Sequence, residues 1–210
     1  MGGGSQGLSH RYGTFERRDP CEGGQGAVTL RGVEMIGQGS FFDPSEIKAG
    51  SNETTLRKMR PEDLPKVLAI EAVSSSTPWS EQMFLDEISH PFSSCYVLEE
   101  SSSPGEVLGY ICFRILGKES EVLNLSVSPS FRRCGLGRKL MEFYLGYSVA
   151  QGVERSYLEV CSSNEGALQL YRSLSYEVTG RRKGFYLGRF DAFTMVKKLC
   201  KTGDIFERMG

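Results

Sequence analysis

The chain has 210 residues, 39% of them hydrophobic, enough for one domain with tails or two small domains, each with a core. Its 25 Lys and Arg against 26 Asp and Glu leave a net charge of −1, which excludes a global field for nucleic acid or an anionic membrane. No apolar run approaches the roughly 18 residues of a bilayer span, and the N-terminus lacks a signal-peptide core. The six cysteines show no CxxC pair and no metal-like spacing with the two histidines. A reduced, cytoplasmic protein without a metal is expected.

Residues 1–54 are rich in Gly and Ser and read as a flexible extension. Glu16, Asp19, Glu22 and Glu34 speak against a transit peptide, and Met35 is an alternative start. Residues 55–200 read as the folded domain and 201–210 as a polar tail. A short strand at Thr55 to Met59 precedes a helix start at Pro61-Glu62-Asp63, after which Leu64, Val67, Leu68 and Glu71 share a face. Ser80 caps a second helix, and His90-Pro91 ends it.

Strands follow at Cys95 to Leu98, Val107 to Leu116 and Val122 to Val127. Leu136, Leu140 and Tyr144 recur as one face of a helix that ends at Gly152. Ser156 to Cys161 is a strand. Asn164 caps a helix with Ala167, Leu168, Tyr171 and Leu174 on one stripe. Closing strands are read at Tyr176 to Val178, Phe185 to Leu187 and Phe193 to Val196, with a basic loop at Arg181 to Gly184. The order β-α-α-β-β-β-α-β-α-β-β predicts an α/β (α+β) fold, a mixed sheet with helices on both faces.

One stretch carries chemistry. Between the third of these central strands and its helix lies Arg132-Arg133-Cys134-Gly135-Leu136-Gly137, an RxxGxG string. Glycines let backbone approach an anion, and the first N–H groups of a helix point at it, so a pyrophosphate-binding turn is expected. Leu140 stands where a dinucleotide fingerprint needs a third glycine, and Arg138-Lys139 replaces the GK[ST] of a P-loop. Taken alone the string also fits an ordinary tight strand-to-helix turn.

With RPEDL at Arg60, STPWS at Ser76, LNLSVSPSFRRCGLGRKL at Leu123, LEVCSSNEGALQLYRSLSY at Leu158 and GRRKGFY at Gly180, the chain resembles the GNAT superfamily of acetyl-CoA-dependent N-acetyltransferases. Within it, the likeness is greatest to the bacterial ribosomal-protein-alanine N-acetyltransferases. The resemblance implies a GNAT fold with a mostly antiparallel sheet, and acetyl-CoA as cosubstrate. It gives the pyrophosphate to backbone N–H groups of Arg133, Cys134, Gly135, Leu136, Gly137 and Arg138. It puts a strand bulge, with a freed N–H for the thioester carbonyl, within Leu125, Ser126 and Val127. It implies Glu159 as general base and Tyr171 as general acid, and a cofactor contact for Asn164. Trp79 and Tyr186 would line the peptide groove. The implied substrate is a protein N-terminal amine, that of the N-terminal alanine of small-subunit ribosomal protein number eighteen, with no direct nucleic acid and no membrane as partner.

Each residue also has a plainer reading: a salt bridge to an arginine for Glu159, core packing for Tyr171 and Trp79, a helix cap for Asn164, a strand position for Tyr186. Ser175 stands where the family has glycine, and Cys161 where it has arginine. The alternatives are acetylation of a lysine side chain or small amine, and a module that binds acetyl-CoA without catalysis.

Overall fold

The computed structural model describes residues 54–186 and 188–199. The expectations for residues 1–53, Met35 included, and for the tail from residue 200 lie outside the described residues. Seven strands form one sheet in the order β1-β2-β3-β4-β5-β7-β6: β1 (Thr54–Lys58), β2 (Ser93–Glu100), β3 (Val107–Leu116), β4 (Glu119–Val127), β5 (Arg155–Cys161), β6 (Glu177–Tyr186) and β7 (Phe190–Lys198). Every neighbouring pair is antiparallel except β4 with β5.

β3 is buried from Val107 to Phe113, a near-continuous apolar run covered on both faces. On one face lie α1 (Leu64–Ser74) and α2 (Glu81–Ser89). Leu64, Val67, Ile70 and Phe84 pack there against Val97, Tyr110 and Cys112. α1 follows a single 3-10 turn at Pro61–Asp63. Ser80 Oγ accepts from Met83 N at 3.3 Å and caps α2. On the other face lie α3 (Leu136–Ala150) and α4 (Glu165–Ser173). There Leu140, Met141, Phe143 and Tyr144 of α3 and Leu168 and Tyr171 of α4 meet Ile111, Phe113, Leu158 and Val160. Beneath α3, Tyr144 Oη stands 2.6 Å from both Ser120 Oγ and Ser156 Oγ, and Ser156 Oγ also meets Tyr176 Oη. This buried hydroxyl chain ties β4 and β5 where they are paired.

One expected loop is corrected. Arg181 to Gly184 is strand, part of a continuous β6, although its pairing with β7 is irregular between Arg182 and Tyr186. The charges there sit in a strand because two of them are matched across it. Arg181 pairs with Asp191, and Arg182 with Glu159 at 2.8 Å. Among the described residues, no helix is long and apolar enough to cross a membrane.

Candidate functional site

The site forms where β4 and β5 part. Their parallel ladder runs from Glu119↔Arg155 to Val122↔Leu158 and stops there. β5 continues to Cys161, paired with β7, while β4 continues to Val127, paired with β3. The bulge responsible is at Leu123, the extra residue between the pairs Phe113↔Val122 and Cys112↔Asn124. It lies two residues before the expected Leu125–Val127 stretch, and the unpaired edge of β4 contains that stretch. The extra residue also switches side-chain parity. Val122 before it and Leu125 and Val127 after it all face the α3 core, and Asn124 faces α1. Gly109 of β3 belongs to the same construction, because a Cβ there would come 2.8 Å from the Ser126 carbonyl oxygen.

Beyond Val127 the chain makes a 3-10 turn at Pro129–Phe131. Arg132 folds back over it, giving Nε to the Val127 carbonyl at 3.1 Å and a guanidinium nitrogen to Ser74 Oγ at 2.7 Å. Arg133 and Gly135 then take left-handed conformations, with φ of 65° and 82°. Left-handed residues in such a turn gather successive N–H groups into an anion-binding concavity. α3 opens from it, and its first backbone bond is Lys139 N to Gly135 O at 3.0 Å. The N–H groups of Leu136, Gly137 and Arg138 therefore lie in the first turn, without intrahelical acceptors. A Cβ on Gly137 would come within 3.4 Å of Leu170 and 3.9 Å of Val127. The absence of that atom keeps open the space between the helix start, α4 and the end of β4. Exposed amides, a helix N-terminus and a cradle that a methyl group would fill fit a diphosphate leading to the β4–β5 gap. Arg133, Cys134, Gly135 and Arg138 are exposed; Arg138 reaches Ser173 Oγ at 2.7 Å.

Glu159 and Tyr171 lie on opposite faces of the sheet. Leu158 and Val160 are buried under α3 and α4, so the alternation of β5 turns Glu159 to the α1 side. Its carboxylate accepts from Arg182, whose guanidinium lies 4.1 Å from the Phe185 ring centre. The plain reading of Glu159 as an ion-paired residue is thus met, and the pair fixes the carboxylate in place. Tyr171 is buried in the α3–α4 core. Burial and the neighbouring Tyr186 push its phenol well above the ordinary tyrosine range, so it keeps its proton at neutral pH.

A helix-terminating motif positions that ring. Ser175 N donates to Arg172 O and Tyr176 N to Tyr171 O, with Ser175 left-handed at φ 64°. The accompanying contact is Tyr171 against Tyr176, with ring centres 6.0 Å apart. Asn164 caps α4, its Oδ1 accepting from Ala167 N at 3.1 Å.

Tyr186 is half-buried at the end of β6, edge-on to Phe185. Trp79 differs from expectation. It is only 9% exposed, packed 5.1 Å from the Phe84 ring, so its indole has little surface to offer a groove. Residues not anticipated as part of the site are Arg182, Asn124 and the buried Glu71. The signal for Glu71 is an acid on the apolar face of α1.

Residues 60–176 match the family model described as the Acetyltransferase (GNAT) family. The chain is 29% identical over 144 residues to the ribosomal protein bS18-alanine N-acetyltransferase of Escherichia coli (strain K12), covering 67% of this chain and 95% of that protein. It is 34% identical over 123 residues to the N-alpha-acetyltransferase RimI of Mycobacterium tuberculosis, covering 56% and 74%. The crystal structure of the ribosomal-protein-S18-alanine N-acetyltransferase from Escherichia coli aligns with a TM-score of 0.65 at 28% identity, over 72% of this chain and 97% of that one.

Proposed function

The chain belongs to the acetyltransferase (GNAT) family and is an acetyl-CoA-dependent N-acetyltransferase, and on that premise we propose that it acetylates the N-terminal alanine of small-subunit ribosomal protein S18. The reading of an N-terminal amine is supported by relatives named for that activity. What supports the site assignment is the parting of β4 from β5 beside the glycine turn, with Glu159 on the α1 face of β5 and Tyr171 in the core on the α3–α4 face.

The coenzyme supplies the acetyl thioester. Backbone N–H groups of Arg133 to Arg138 hold its diphosphate, and Asn164 sits at the adjacent cap of α4. An N–H within Leu125 to Val127 meets the carbonyl oxygen as charge develops on it. The open edge of β4 takes the coenzyme's amides as it would another strand. Glu159 receives the proton that the attacking amine loses as the C–N bond forms. Tyr171 gives its proton to the sulfur as the C–S bond breaks. Entry of the amine from the α1 face and departure of sulfur toward the α3–α4 face keep the two proton transfers apart. Tyr186 lines the acceptor groove, while Trp79 supports it from the core.

The test is incubation with acetyl-CoA and a hexapeptide beginning Ala-Arg-Tyr, beside a blocked counterpart whose sole amine is a lysine, read by mass spectrometry. Acetyl on the alanine α-amine is expected, and transfer to lysine alone would refute the assignment. Glu159→Gln and Tyr171→Phe should each lower kcat by about a hundredfold or more, with the acetyl-CoA KM held.

A further inference from the structure

Three carboxylates of the described residues are buried: Asp63 at 8% exposure, Glu71 at 1% and Glu87 at 3%. Asp63 is met by the Arg57 guanidinium and Glu87 by that of Arg114. The partners of Glu71 are neutral. Its Oε1 accepts from the backbone N–H of Trp79 at 2.9 Å and from Asn124 Nδ2 at 3.2 Å, and its Oε2 accepts from the Tyr110 hydroxyl. Burial and then Glu71 itself push the Tyr110 phenol far above its ordinary range, so it stays a donor. A carboxylate buried against neutral donors is costly, and apolar packing would be cheaper if stability alone were served.

The three donors come from three places: the loop after α1, the centre of β3, and the stretch of β4 that has parted from β5. Asn124 is the important one. The amide nitrogen of Asn124 donates to Glu71 Oε1, which leaves its amide oxygen as the group with acceptor capacity. The Tyr110 hydroxyl has a single proton, committed to Glu71, and lies 3.5 Å from Asn124 Oδ1. That oxygen therefore keeps acceptor capacity, on the half-buried α1 face of β4, across the gap from β5 and Glu159. An incoming amine brings N–H donors. Glu159 removes one proton, and a second acceptor is needed to aim the lone pair.

We infer that Asn124 is a substrate-contact residue whose Oδ1 accepts from the acceptor amine, and that Glu71 is the positioning residue that sets the Asn124 amide and the Trp79 loop for it. This rests on the reading that the amine enters between β4 and β5 from the α1 face. The experiment compares wild type, Asn124→Ala, Glu71→Gln and the double variant, with KM for peptide and for acetyl-CoA measured separately, and thermal midpoints alongside. Glutamine keeps the volume of Glu71 but allows the amide of Asn124 to flip. Asn124→Ala and Glu71→Gln are each expected to raise the peptide KM about tenfold, with the acetyl-CoA KM within twofold. The double variant should be no worse than Asn124→Ala, because Glu71 acts through Asn124. An unchanged peptide KM in Asn124→Ala, an additive double variant, or a Glu71→Gln effect on the thermal midpoint alone would overturn the inference. A wild-type protein that acetylates only lysine would instead refute the N-terminal assignment, and the same variants measured on that lysine would still test this one.

Discussion

A serine at φ 64° is a specific liability, because a Cβ in the left-handed region crowds the following carbonyl. Ser175 carries it so that the two closing bonds of α4 form and Tyr171 is held against Tyr176. Ser175→Gly should therefore raise the unfolding free energy by about 1 kcal/mol in urea titration and leave kcat unchanged. Gly135 is the converse case. At φ 82° a Cβ would meet nothing within 4 Å, so Gly135→Ala costs backbone strain alone, about 1–2 kcal/mol. Its expected signature is a raised acetyl-CoA KM with the peptide KM held. Both positions are legible in the sequence, Ser175 as a departure from glycine and Gly135 as part of RxxGxG. The left-handed Arg133 is not, since an arginine gives no sign of it. Trp79 escapes a sequence reading for a related reason, as a lone aromatic after a loop reads equally as groove wall or core.

At the scale of elements, the boundaries follow from periodicity and caps, but pairing across the sheet is a long-range matter. The bulge shows both sides of this. The apolar positions of β4 change parity between Val122 and Leu125, and that change is in the sequence, yet only the partner strand shows Leu123 as the extra residue. The basic segment of β6 could not be read as strand because its partners, Asp191 and Glu159, lie on other strands. A similar network closes the other end of the sheet. Asp63, at the start of α1, accepts from Arg57 of β1 and from Arg60 N. Burial opposes ionisation of Asp63, but the Arg57 hydrogen bonds and the Arg60 amide outweigh it and hold the carboxyl below its usual value. Its contribution to stability is thus complete above the unfolded value near 3.9 and is lost as pH falls through the lower folded value. Asp63→Asn should lower the thermal midpoint at pH 6 and flatten its decline below about pH 4.

For the whole molecule, the decisive quantity is which amine the gap accepts. With net charge of −1 the chain has no long-range field to select an acceptor, so the choice falls to the chemistry at the gap. An α-amine with a pKa near 7.7–8.0 is roughly a tenth neutral at pH 7, whereas a lysine near 10.4 is neutral in less than about one part in a thousand. A single carboxylate already engaged by Arg182 suits the first task better than the second. For a peptide beginning with alanine, kcat/KM should rise about tenfold per pH unit from pH 6 and level near pH 8, where the free amine is deprotonated. A lysine acceptor would carry the rise on toward pH 10. Because the Tyr171 phenol is pushed above its ordinary value near 10, loss of its proton should not bend the profile downward within that range. A plateau reached near pH 8 and held to pH 9.5 therefore reports both an α-amine substrate and a tyrosine that keeps its proton. A profile still climbing at pH 9.5 with the same peptide would show that the free α-amine does not set the rate.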